Sequence, residues 1–98
     1  MTDDTDEIRA APLVRVPDTV LLQRVADEIV LLHLGDNRYY GLDPVGARML
    51  DLARALPTAE AVVATLVAEY ETTPDVLATD LERLLDDLED NGLVFRGR

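Results

Sequence analysis

The sequence predicts an α+β domain of winged-helix-like order, a three-stranded antiparallel β-meander followed by three α-helices. Two patterns carry that prediction. Between Val20 and Leu42 apolar residues fall in strand-like runs separated by turn residues, with period-two alternation. After Asp43 the spacing becomes helical, and Asp43-Pro44, Thr58 and Thr73-Pro74 each supply a capping side chain at a helix start, with proline at the first helical position in two of the three. A third observation sets the scale: 98 residues with 48% hydrophobic content and no cysteine suffice for one modest core, held by apolar burial without disulfides. With one Phe, three Tyr and no Trp, that core must be aliphatic.

Residues 1–11 (MTDDTDEIRAA) are acidic and aperiodic, and are expected to form a disordered tail ahead of a folded domain over residues 12–95. Leu13 to Val16 lie between Pro12 and Pro17 and read as irregular. Val20 to Val25 is the first strand, with Leu21, Gln23 and Val25 on one face and Val20, Leu22 and Arg24 on the other. Ala26-Asp27 turns the chain. Glu28 to Leu34 is apolar on both faces, as a central strand would be. Gly35-Asp36-Asn37 is a hairpin turn, and Arg38 to Leu42 is a third strand left at the sheet edge. Its Arg38, Tyr40 and Leu42 share the face expected to be covered, and Tyr39 points away.

In the first helix Val45, Met49, Leu52 and Leu56 form an apolar stripe that ends at Leu56-Pro57. In the second, Val62, Val63, Leu66, Val67 and Tyr70 form the buried stripe. In the third, Leu77, Leu81, Leu84 and Leu88 do so, with Asn91-Gly92 as the stop signal. Leu93-Val94-Phe95 is apolar enough to fold back on the domain, and residues 96–98 are expected to fray.

Charge limits the functions open to this fold. Twenty acidic residues face nine basic ones, all arginine, for a net charge of −11. That balance disfavours nucleic acid and anionic membranes, and no stretch is long and apolar enough to span a bilayer. The third helix, where a winged-helix regulator would read DNA, holds Arg83 as its only basic residue among seven Asp/Glu. The four acids among the first nine residues match neither a signal nor a transit peptide, so a cytoplasmic location is expected. Catalysis, a metal and a cofactor are not expected either: His33 is the lone histidine, and the acidic run of the third helix lacks the spacing of a calcium loop. A packed imidazole and a solvated helix face account for both.

An extended peptide can instead add to the open edge at Arg38, Tyr39, Tyr40, Gly41 and Leu42 and place alternate side chains beside the third helix. There Val76, Asp80, Arg83 and Asp87 lie on one flank of the leucine stripe, and with Leu84 of that stripe they are the expected border of a groove.

The run from Arg38 to Leu50 (RYYGLDPVGARML) resembles the strand-to-helix junction of PqqD-like proteins, a short aromatic strand followed by Leu-Asn/Asp-x-x-Ala/Gly and an apolar helix opening. The later order Val62-Val63-x-x-Leu66, Tyr70, Val76, Asp80-Leu81, Leu84, Leu88, Gly92-Leu93 is similar too. The resemblance spans about Val16 to Val94 and implies a non-enzymatic element that binds the leader of a ribosomally made, later modified precursor peptide. The leader would dock on the third strand and lie in a cleft against the third helix. The junction looks most like that of the small freestanding B-type partner in lasso-peptide biosynthesis, which implies a leader peptidase, and possibly a cyclase, as further partners. The alternatives are a PqqD-type chaperone for a radical enzyme and a winged-helix transcription regulator.

Overall fold

A computed structural model describes residues 11–96 of the chain. The expectation for the acidic tail therefore falls, apart from Ala11, outside the described residues, as do Gly97 and Arg98. In chain order the elements are β1 (Val14–Arg15), β2 (Val20–Val25), β3 (Glu28–His33), β4 (Arg38–Leu42), α1 (Pro44–Ala55), α2 (Ala59–Glu69), α3 (Pro74–Asp90) and β5 (Phe95–Arg96). The α+β order is as the sequence predicts. β2, β3 and β4 form one antiparallel sheet in that order, with β3 central and β4 at an edge.

The register explains which residues are covered. Leu22, Leu31 and Tyr40 lie opposite one another across the sheet, as do Leu21, Leu32 and Tyr39. Side chains alternate between faces along each strand, so the first row looks toward the helices and the second away from them. Ile29, Leu31 and Leu42 are accordingly buried, whereas Leu21 and Tyr39 are exposed. The central strand is thus covered on one face and only half-buried on the other, despite being apolar on both. It also stops one residue early: Leu34 begins the turn, held by its N–H donating to the Thr19 carbonyl at 2.8 Å.

All three helix starts are capped by the expected side chains. Asp43 accepts from the Gly46 N–H at 2.8 Å, Thr58 from Ala61 at 3.1 Å and Thr73 from Val76 at 3.3 Å. The end of α3 is a Schellman turn, in which Leu93 N–H donates to the Leu88 carbonyl at 2.9 Å and Gly92 N–H to that of Glu89 at 3.0 Å. Gly92 holds φ at +72°, and a Cβ there would stand 3.4 Å from His33 Nε2, so both backbone geometry and space favour glycine.

Each helix presents a core face rotated from the expected stripe. In α1, Ala47, Met49, Leu50, Leu52 and Ala53 are buried while Val45 is 39% exposed, because the helix meets the sheet on one side and α2 on another. In α2 only Val62 and Leu66 are fully buried, and Val67 lies open. In α3 the third stripe position is Leu85, completely buried, and not Leu84, which packs half-buried at the core's margin. Both residues satisfy i+3/i+4 spacing from Leu81, so spacing alone does not separate them.

The two chain ends differ most from expectation. Val14 and Arg15 are not irregular: they form β1, antiparallel to β5, with Val14 opposite Arg96 and Arg15 opposite Phe95. Leu93 and Val94 fold back into the core, but Phe95 stays exposed. Arg96 does not fray. Its side chain, 15% exposed, spans three carboxylates of α3, those of Asp86 at 2.7 Å, Glu82 at 3.2 Å and Glu89 at 3.4 Å. The last contact is an ion pair only, since Arg96 Nε has no hydrogen-bond partner.

Candidate functional site: the cleft between β4 and α3

β4 contributes an open edge because the chain, after its second hairpin, leaves the sheet for α1 at Asp43. Among the described residues nothing pairs with its outer side. Side chains join it to the near flank of α3, and a recess opens between the start of the strand and the α3 C-cap at Asn91. Tyr40 donates its hydroxyl to Asp87 Oδ2, and Arg38 donates to Asn91 Oδ1 at 3.3 Å. Asn91 Nδ2 in turn lies 3.5 Å from Asp87 Oδ1 and 2.8 Å from the Asp87 carbonyl. Arg38 also pairs with Asp36 at 3.1 Å. One linked polar set thus closes the end of the cleft where α3 finishes.

These contacts fix the relative direction of the two elements. Two residues along β4, from Arg38 to Tyr40, match four along α3, from Asn91 to Asp87. A strand advances about 3.3 Å per residue and a helix about 1.5 Å, so the two steps are nearly equal and β4 and α3 run antiparallel side by side. Continuing the match carries Leu42, the last residue of β4, toward the turn of α3 that holds Leu84, whereas Asp80 and Val76 lie beyond the strand's end.

The expected site residues divide accordingly. Tyr40 and Asp87 are brought into contact, Arg38 is linked to them through Asn91, and half-buried Leu84 lies one helical turn before Asp87 on α3. Gly41 is exposed, and a Cβ there, on the sheet face that looks away from the helices, would touch nothing within 4 Å. Tyr39 is 76% exposed on the opposite face of the sheet, where it borders an apolar recess of about 330 Å³ with Leu21, Val30 and Leu32. It adjoins the edge but does not face α3. Val76 and Asp80 border a shallow depression farther up α3, and Arg83 sits on the solvent ridge beside Glu82 and Asp86.

The sequence reading passed over Asn91, His33 and Leu93 as part of this region, yet they line a recess of about 220 Å³ with Arg38, Tyr39 and Tyr40. Asn91 read only as a helix stop. His33 is half-buried, and its Nδ1 accepts the Asp36 N–H at 3.3 Å, which orients the ring against Gly92.

Electrostatics here follow from the Tyr40 bridge. Hydrogen bonding to Asp87, assisted by partial burial and the carboxylate's charge, raises the Tyr40 phenol above its ordinary value of 10. It therefore remains a donor at neutral pH. Among the described residues no group of three His, Cys, Asp or Glu side chains is placed to hold a metal ion, and no helix is long and apolar enough to cross a membrane. What the arrangement offers is an unpaired strand edge beside a helix flank that carries half-buried Leu84 and the carboxylates of Asp80 and Asp87. Such a surface can bind an extended peptide.

Comparison with known proteins places the fold. The family model described as coenzyme PQQ synthesis protein D (PqqD) matches residues 28–94. The solved structure of TbiB1 in complex with the TbiA(beta) leader peptide is similar over 82% of this chain and 93% of that one, at 34% identity and a TM-score of 0.75. A lasso peptide synthetase B1 complexed with the leader peptide aligns over 84% of this chain and 96% of that one, with a TM-score of 0.78 but 21% identity, and so speaks to the fold alone. No protein of curated function matches the sequence.

Proposed function

The chain belongs to the PqqD family, and from that premise we propose that it is a non-catalytic adaptor that binds the leader region of a ribosomally made precursor peptide. The leader adds as a strand to β4 over Arg38 to Leu42. Its alternate side chains enter the cleft against α3, bordered by Val76, Asp80, Leu84 and Asp87. Arg83 and the acids of α3 set register and charge preference, favouring a leader with basic residues on that side. The adaptor then presents the precursor to a leader peptidase and a cyclase of a lasso-peptide pathway. The binding unit runs from about residue 12 to Arg96.

The observation that carries this reading is the open edge of β4 beside a wall that is apolar at Leu84 and acidic around it. Strand addition supplies main-chain hydrogen bonds, and the cleft supplies side-chain selection. Ordering a flexible leader offsets part of the gain, which places the affinity at roughly −8 to −12 kcal/mol, micromolar to nanomolar. A duplex-binding reading has no comparable support, because the chain's net charge is −11.

The test is calorimetric titration of the chain, and of Tyr39→Ala and Arg83→Glu, with the TbiA(beta) leader peptide and with the leader of a precursor peptide sought in its genomic neighbourhood. Both positions are exposed, so folding is not at stake. Each variant is expected to weaken binding at least about threefold, roughly 0.6 kcal/mol or more. Unchanged affinity in both would remove the proposed contacts.

A further inference from the structure

The core covers one apolar stripe of α2 only in part: Ala59 and Val63 are half-buried against it, and Val67 lies open. Ala59, Val63 and Val67 recur every four residues along the helix, and Val67 is 37% exposed while only Val62 and Leu66 are fully buried. A surface helix ordinarily shows polar residues there. This stripe forms one wall of a groove of about 680 Å³ whose other wall is the first part of α3, at Pro74 and Ala78, with Ala64 beside it. Glu60 and Asp75 stand at its rim.

From this groove we infer a second interaction surface, fitted to an amphipathic helix of a partner protein that carries an apolar stripe flanked by Lys or Arg. Both walls are helices whose backbones are already hydrogen-bonded internally, so the groove offers no ladder to a strand. An extended segment lying in it would leave its own N–H and C=O groups unpaired against apolar side chains, whereas a helix brings its backbone already satisfied. Alanine at positions 64 and 78 lets another helix axis come close. The stripe from Ala59 to Val67 runs about 12 Å, which matches two turns of a partner. The acidic rim and the net charge of −11 select basic flanks.

The groove does not compete with the β4 cleft. Ala78 and Asp87 are nine residues apart on α3, which at about 100° per residue sets them on opposite flanks. A helix held by Ala78 and a peptide held near Asp87 can be bound together.

The test titrates the full ¹⁵N-labelled chain with a synthetic helix of about 18 residues, Leu on one stripe and Lys on the flanks. A version with Glu for every Lys and a scrambled Lys/Leu peptide serve as controls. The expected result is saturable binding with shifts confined to residues 59–67 and 75–78, little response to the Glu peptide, and at least about a tenfold loss in both Val67→Ser and Ala78→Arg. Both substitutions are at exposed positions, and retained spectral dispersion verifies their folding. Five outcomes overturn the proposal: equal binding of the scrambled peptide, shifts spread over the acidic surface, full affinity in both variants, self-association of the chain through this groove, or contact of residues 1–10 with it in the free chain.

Discussion

Removing the Tyr40–Asp87 bridge tests whether the end of the β4–α3 cleft is closed as described. A hydrogen bond to a charged acceptor contributes about 1.5–3 kcal/mol when sheltered. Tyr40 is only half-buried and Asp87 is exposed, so water competes and the expected coupling falls to about 0.5–1.5 kcal/mol. Asp87→Ala also relieves repulsion with the other acids of α3, so the single substitution understates the bond. A double-mutant cycle with Tyr40→Phe, Asp87→Ala and both isolates it. Measured by denaturant unfolding, the coupling should appear as that stabilisation, or roughly 2–12 °C in Tm.

The same bridge has a pH signature. The folded phenol titrates above the unfolded value of 10, so its contribution is fully present below pH 10 and is lost as pH rises through the folded value. Wild type should therefore lose stability relative to Tyr40→Phe in that alkaline window and not at neutral pH. A coupling below about 0.3 kcal/mol, with no alkaline difference, would refute the bridge.

Two further perturbations follow. Arg96→Ala strips the shared counter-ion from Glu82, Asp86 and Glu89 and should lower stability by about 1 kcal/mol, less in high salt; a change within error would make the cluster a passive surface feature. Ala26 holds φ at +57° in the β2–β3 turn, a conformation that suits glycine, so Ala26→Gly should raise stability by about 0.5–1 kcal/mol, and a loss of stability would contradict the turn geometry.

Much of the fold was legible because its signals are local. Capping by Asp43, Thr58 and Thr73 depends on a side chain and a backbone group three residues on, and so could be read directly. Strand alternation fixed which of Tyr39 and Tyr40 faces the helices. What escaped is non-local. β1 and β5 are two residues each, too short for periodicity, and Arg96 finds its partners 7 to 14 residues back. Leu84 and Leu85 both fit a helical stripe, and only the neighbours chosen by tertiary packing decide between them. For the site, the edge strand was visible in the hairpin order, but the role of Asn91 was not. Its side chain meets Arg38 across 53 residues of sequence, and no spacing rule announces that contact.

The central claim is that the leader pairs its backbone with β4. An NMR titration of the chain with the leader peptide, in unmodified form and with N-methyl groups at alternate backbone positions, measures this most directly. The prediction is slowed amide exchange within residues 38–42, shifts along the 80–87 flank of α3, and at least about a tenfold loss for the methylation pattern that removes the pairing N–H groups. Equal affinity for both methylated patterns and the unmodified leader, with residues 38–42 unperturbed, would contradict it.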